Sequence, residues 1–128
     1  MFIAVVLVAV ALPILRDVTS GNEYRVEREL ASPDRTHRAV VYTGMGGGAA
    51  GWCAQRIAIV PAKSSSDPQE ANDSMAYVFS VSCSSKIALE WIADDRLRIT
   101  YSVGEGVSVT QSPRSKEGAV AVDYQILQ

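Results

Sequence analysis

The chain has 128 residues, a formal net charge of −2 and 48% hydrophobic residues. Acids and bases are interleaved along it, with no basic stripe to follow a phosphate backbone and no acidic tail, so nucleic acid is not an expected partner. The length suits one domain, and the content of Val, Ile, Leu, Tyr and Trp excludes a disordered chain.

Met1 to Leu15 (MFIAVVLVAVALPIL) is apolar without a break and is followed by Arg16-Asp17. A spanning helix takes about 20 apolar residues, whereas a signal-peptide core takes about 7 to 15. The run fits the second description better, although no Lys or Arg precedes it and Ala9 and Ala11 lie inside it rather than behind it. No cysteine stands near its end, which excludes attachment of the lipoprotein kind. Residues 1–16 are therefore read as a signal or anchor segment, uncleaved or partly cleaved. A buried amino-terminal strand or helix is the alternative. Residues 20–128 form the single β-rich domain that remains.

From Ser20 onward, strands and turns alternate. In Tyr24–Leu30 the residues Tyr24, Val26 and Leu30 share one face of an extended chain, Ser32-Pro33-Asp34-Arg35 is a turn, and His37–Tyr42 is the returning strand. Gly44 to Gly51 (GMGGGAAG) reads as a glycine-rich turn. In the strand Trp52–Val60 that follows, Cys53, Ile57 and Ile59 lie on one side and Trp52, Ala54, Arg56 and Ala58 on the other. Pro61–Ser74 is polar and aperiodic and reads as a long exposed loop. Met75–Cys83 is a strand with Met75, Tyr77, Phe79 and Val81 on the face of Cys83. Val107–Gln111 is a weak strand, and Ala119–Leu127 is a closing strand with Val120, Val122, Tyr124 and Ile126 inward.

The hairpin of Ile87–Ser102 carries enough pattern to set its register. Turning both apolar faces inward places Trp91 opposite Leu97, Leu89 opposite Ile99 and Ile87 opposite Tyr101. It leaves an odd-length connection at Ala93-Asp94-Asp95, which calls for one residue of positive φ, and it sets Glu90 against Arg98 as an exposed ion pair. The expected fold is all-β or mostly β: a single small antiparallel sheet, a sandwich or a partly open barrel of about 6 to 8 strands, behind an N-terminal apolar anchor helix.

Cys53 and Cys83 are the two cysteines of the chain, each on the inward face of its strand. With an export leader they are expected to form one disulfide between neighbouring strands. Two buried free thiols in a cytoplasmic protein are the alternative.

The order of these features resembles a bacterial family of short membrane-anchored proteins, domain-of-unknown-function family 5412. The matching positions are Ser32, Pro33 and Asp34; Ala39 and Val40; Gly47 to Trp52 with Gln55; and Trp91, Ile92, Asp94, Asp95, Leu97 and Tyr101. Arg35 stands where the family has Gly, and Cys53 follows the small-residue turn rather than preceding it. The resemblance implies a fold and an address, the bacterial cell envelope, but no activity. The domain would be anchored in the inner membrane and lie outside the cytoplasm, or be secreted to the periplasm.

Chemical signatures are sparse. Gly44, Gly46 and Ala49 spell G-x-G-x-x-A, but a period-two strand follows where a dinucleotide fingerprint needs a helix. Ser32, Asp34 and His37 sit too close on one hairpin to act as a catalytic triad, and one His with two distant Cys makes a poor zinc set. No catalytic residue, metal ligand or cofactor is expected. Gly46, Gly47, Gly48 and Trp52 form the candidate interaction surface, an aromatic side chain beside a flexible turn. The expected function is a non-catalytic binding or envelope-interaction module, with the membrane as partner through the N-terminal segment and an envelope protein as a further partner. A small hydrolase or hydrolase accessory is the alternative, with a carboxylate pair of Asp94 and either Glu105 or Asp123.

Overall fold

The computed structural model describes residues 22–47, 51–68, 71, 76–104 and 108–127; the leader, Gly48, Met75 and Glu105 lie outside them. Strands β1 (Asn22–Ala31), β2 (His37–Gly46), β3 (Trp52–Pro61), β4 (Tyr77–Ser82) and β7 (Thr110–Gln111) form one sheet in that order. A second sheet has the order β5 (Ile87–Ala93), β6 (Arg96–Ser102) and β8 (Ala121–Leu127). Of the three architectures expected, the chain adopts two sheets rather than one. All pairings between these strands are antiparallel except β6 with β8, which is parallel.

Alternation in β2 and β3 separates two apolar clusters. Ala39, Val41, Ile57 and Ile59 face the second sheet and pack with Phe79, Val81, Leu97, Ile99, Tyr101, Val120 and Val122. Val40, Tyr42, Ala58 and Val60 face the other way and pack with Ala71, Ala76 and Tyr77. The first sheet is therefore buried on both faces over these residues, which is why VVY and IAIV are continuous apolar runs.

Tyr42 and Arg38 draw the segment after Pro61 over the outer face. The Tyr42 hydroxyl donates to the Ser66 carbonyl at 3.0 Å. The Arg38 guanidinium donates to the Ser66 hydroxyl at 2.6 Å and to the Ser64 carbonyl, and it pairs with Glu29. The Ala71 amide donates to the Asp67 carbonyl at 3.1 Å, and Ala71 is buried. Pro61, Lys63, Ser64, Ser65 and Asp67 of the segment read as an exposed loop are exposed, whereas Ser66 is tied to the outer face and Ala71 is buried against it, with no periodicity to announce that contact.

Three β-bulges break the expected faces. Glu27 is the extra residue in β1, so Tyr24 and Val26 lie on the Tyr42 side while Leu30, opposite Ala39, lies on the other. Val78 is extra in β4, so Phe79 and Val81 point to the inter-sheet core and Tyr77 to the outer face. Ile92 is extra in β5: Trp91 pairs with Leu97 as the apolar pattern requires, and Ala93 then pairs with Arg96 across a two-residue Asp94-Asp95 turn. Neither Asp94 nor Asp95 takes positive φ, because the bulge absorbs the odd residue. Glu90 stands opposite Arg98, yet the ion pairs among the described residues are Arg38–Glu29 and Arg96–Asp123. Ile126 keeps the face of Val122 and Tyr124 but is 57% exposed near the end of β8.

The first hairpin turns on Arg35, the sole non-glycine residue of positive φ among those described (60°). Its amide donates to the Ser32 carbonyl at 2.9 Å, completing a turn with Pro33 and Asp34 at the centre. A left-handed residue with a Cβ costs about 1–2 kcal/mol, offset in part by the entropy that Gly loses. Arg35→Gly is expected to raise stability by about 0.5–1 kcal/mol in urea denaturation. An unchanged or lower midpoint would show that the arginine side chain contributes more than its backbone costs.

Candidate functional site

One end of the first sheet gathers most of the features singled out in the sequence. β2 leaves it at Gly46, which pairs with Asn22 on one side and Trp52 on the other. The strand extends through Gly44 and Met45, so the turn proper starts at Gly47, whose φ is 87°. Gly48 lies outside the described residues.

Trp52 is 38% exposed and lies on the outer face, where the rest of its row consists of Ala54, Arg56 and Ala58. Its ring stands 5.9 Å from that of Tyr24. Tyr24 pairs with Gly44, and a Cβ at Gly44 would overlap the Tyr24 ring, so glycine is what lets the phenol lie flat on the sheet. The Arg56 guanidinium sits between two rings, 5.0 Å from the centroid of Tyr24 and 5.2 Å from that of Tyr77. Tyr77 meets Tyr42 edge-on at 5.6 Å. Burial pushes the Tyr42 phenol up to about 12, and its hydroxyl donates to the Ser66 carbonyl. The row Trp52–Tyr24–Arg56–Tyr77–Tyr42 thus runs from an exposed indole to a buried phenol. The sequence placed Arg56 on the face of Trp52; it did not show that Tyr24 joins them, because that depends on cross-strand register.

On the inner face of the same end Cys53 and Cys83 are joined as a disulfide with Cα atoms 5.4 Å apart. The Cys83 amide donates to the Cys53 carbonyl, so the bridge spans directly opposed residues of neighbouring segments of the chain. Both cysteines are half-buried rather than buried. They line a shallow groove of about 430 Å³ with Glu27, Arg28, Thr43 and Gln55. Gln55 donates to the Ser85 carbonyl at 2.8 Å, and Arg28 to the Ile87 carbonyl at 3.0 Å, fixing the crossover between the sheets.

The remaining chemical candidates are dispersed. The Ser32 hydroxyl donates to Asp34 at 2.8 Å, while the ring of His37 contacts the Thr36 hydroxyl at 3.0 Å, so no Ser–His–Asp relay exists there. Hydrogen bonds from Ser32 and Thr36 hold the Asp34 carboxyl below its usual range. His37 borders a cavity of about 260 Å³ at the opposite end, with Lys116 and Glu117 at its rim. Asp94 is exposed on its turn, and Asp123 pairs with Arg96 at 2.9 Å. Glu105 lies outside the described residues. Among their lining residues, the groove and the cavity just described each have one carboxylate, Glu27 and Glu117 respectively. Among the described residues no three His, Cys, Asp or Glu side chains converge as metal ligands. Comparison with known proteins finds no matching family model, curated protein or solved structure.

Proposed function

We propose that the chain is a membrane-anchored or exported β-domain of the bacterial cell envelope that works as a non-catalytic binding module, with the Trp52 surface as its contact. The observation that carries this reading is the exposed Trp52 indole, braced by Tyr24 and Arg56 at the mouth of a glycine turn. A rigid, half-desolvated aromatic side chain loses little entropy on binding and offers a large contact area. The apolar leader supplies the anchor, and the disulfide suits an oxidising compartment. The resemblance to the family of short membrane-anchored proteins gives the same address.

Site-specific photocrosslinking in intact cells tests the reading. A photoreactive amino acid at position 52 is expected to form adducts with an envelope component, lipid or protein. The same group at position 94, at the other end, is expected to form few. Absence of adducts at 52, or equal yields at both positions, would remove the binding reading.

A further inference from the structure

The strand ends divide the domain into two unlike poles. At one pole lie Asn22, Gly46, Trp52 and Ser82 of the first sheet and Ile87, Ser102 and Leu127 of the second. Residues 83–86 join the sheets there, pinned by the Gln55–Ser85 hydrogen bond. Of the seven large hydrophobic side chains exposed among the described residues, five belong to this pole: Met45, Trp52, Val103, Ile126 and Leu127. The charged side chains described at this end are Glu23, Arg25, Glu27, Arg28, Arg56 and Lys86. At the other pole the turns expose Asp34, Arg35, Lys63, Asp94, Asp95 and Glu117.

The chain enters the domain at the apolar pole. Asn22 follows the apolar stretch 1–15 by the six residues 16–21. At 3.3–3.6 Å per residue these reach at most about 20 Å. A leader seated in a bilayer would therefore hold Trp52 and its neighbours within about 20 Å of the headgroups, with the charged pole turned away. Trp and Tyr beside aliphatic side chains are the composition of a membrane–water interface, where an indole keeps its N–H wet and its ring apolar.

We infer that the apolar pole is a bilayer-contacting surface, and that the partner of the Trp52 site is the lipid interface itself. This rests on the anchored reading given above and adds the orientation of the domain to it. The leader inserts, the pole around Met45, Trp52, Val103, Ile126 and Leu127 settles among the headgroups, and the pole bearing Asp94 and Glu117 points into the compartment.

Quenching by brominated lipid separates the possibilities. The full chain is reconstituted into vesicles of phosphatidylethanolamine and phosphatidylglycerol, with or without bromine on the upper acyl carbons, and collected by flotation. Trp91→Phe protein, which retains Trp52, is expected to lose about half of its emission in brominated vesicles. Trp52→Phe protein, which retains Trp91 near the far turn, is expected to be quenched little. If Trp91→Phe disturbs folding through loss of the indole bond to the Leu30 carbonyl, the difference between the unaltered chain and Trp52→Phe gives the same quantity. Protein that floats with an unquenched Trp52 overturns the lipid contact and leaves the anchor standing; a protein adduct at position 52 would accompany that result. Protein that does not float overturns both.

Discussion

Replacing Cys53 and Cys83 together by serine is expected to lower the stability of the domain by about 3–4 kcal/mol. The bridge closes a loop of 30 residues, and that loop contains the long connection between β3 and β4. In the folded state the two strands are already tied at Ala54 and Ser82, so the bridge adds little to native pairing. Its effect falls on the unfolded chain, whose ends it keeps together. Against a total of about 5–15 kcal/mol the loss is large, and urea denaturation with and without reductant measures it. Coincident midpoints would show that the bridge does not form in solution. The double serine variant separates that outcome from incomplete reduction of a half-buried disulfide.

Phe79→Ala is expected to cost about 3–5 kcal/mol, the largest effect of any single truncation in the inter-sheet core. The side chain is 1% exposed and sits at the seam of the two sheets. It lies 5.0 Å from Tyr101 and stacks on Tyr124 at 5.8 Å. Removing the ring leaves two tyrosines facing a void, and Tyr124 cannot move to fill it. Its hydroxyl lies between the carbonyls of Val78 and Ser112, at 2.8 and 2.6 Å, with one proton to donate to either. Calorimetry is expected to show a lower transition that remains cooperative. A cost under about 1 kcal/mol would mean that the sheets slide together and close the space.

How far the fold was legible follows from period-two alternation. The register of β5 and β6 could be derived because both strands alternate cleanly and one alignment turns both apolar faces inward. The bulges at Glu27, Val78 and Ile92 could not. Each is an ordinary residue whose extra position flips the parity of everything beyond it, and nothing in its side chain marks it. That single effect explains why Leu30 left the face of Tyr24 and why Tyr77 left the face of Phe79. The division into two sheets and the parallel pairing of β6 with β8 depend on contacts between distant segments, which alternation within a strand does not encode. Of the candidate surface, Trp52 and the glycines were visible as types in a pattern. The brace of Tyr24 and Arg56 needed the alignment of three strands to appear.

The last strands to be made are also the ones that join the halves. β7 adds to the first sheet and β8 to the second, with Val120 and Val122 completing the core between them. Until residues 110–127 are available, the β5–β6 hairpin lacks its neighbour and the apolar faces of both sheets stay partly open. Such non-local closure belongs to the slow class of folding reactions. A chain of this topology can pair β1 to β4 and close the β5–β6 hairpin locally, but its inter-sheet core is complete only when the final segment is in place.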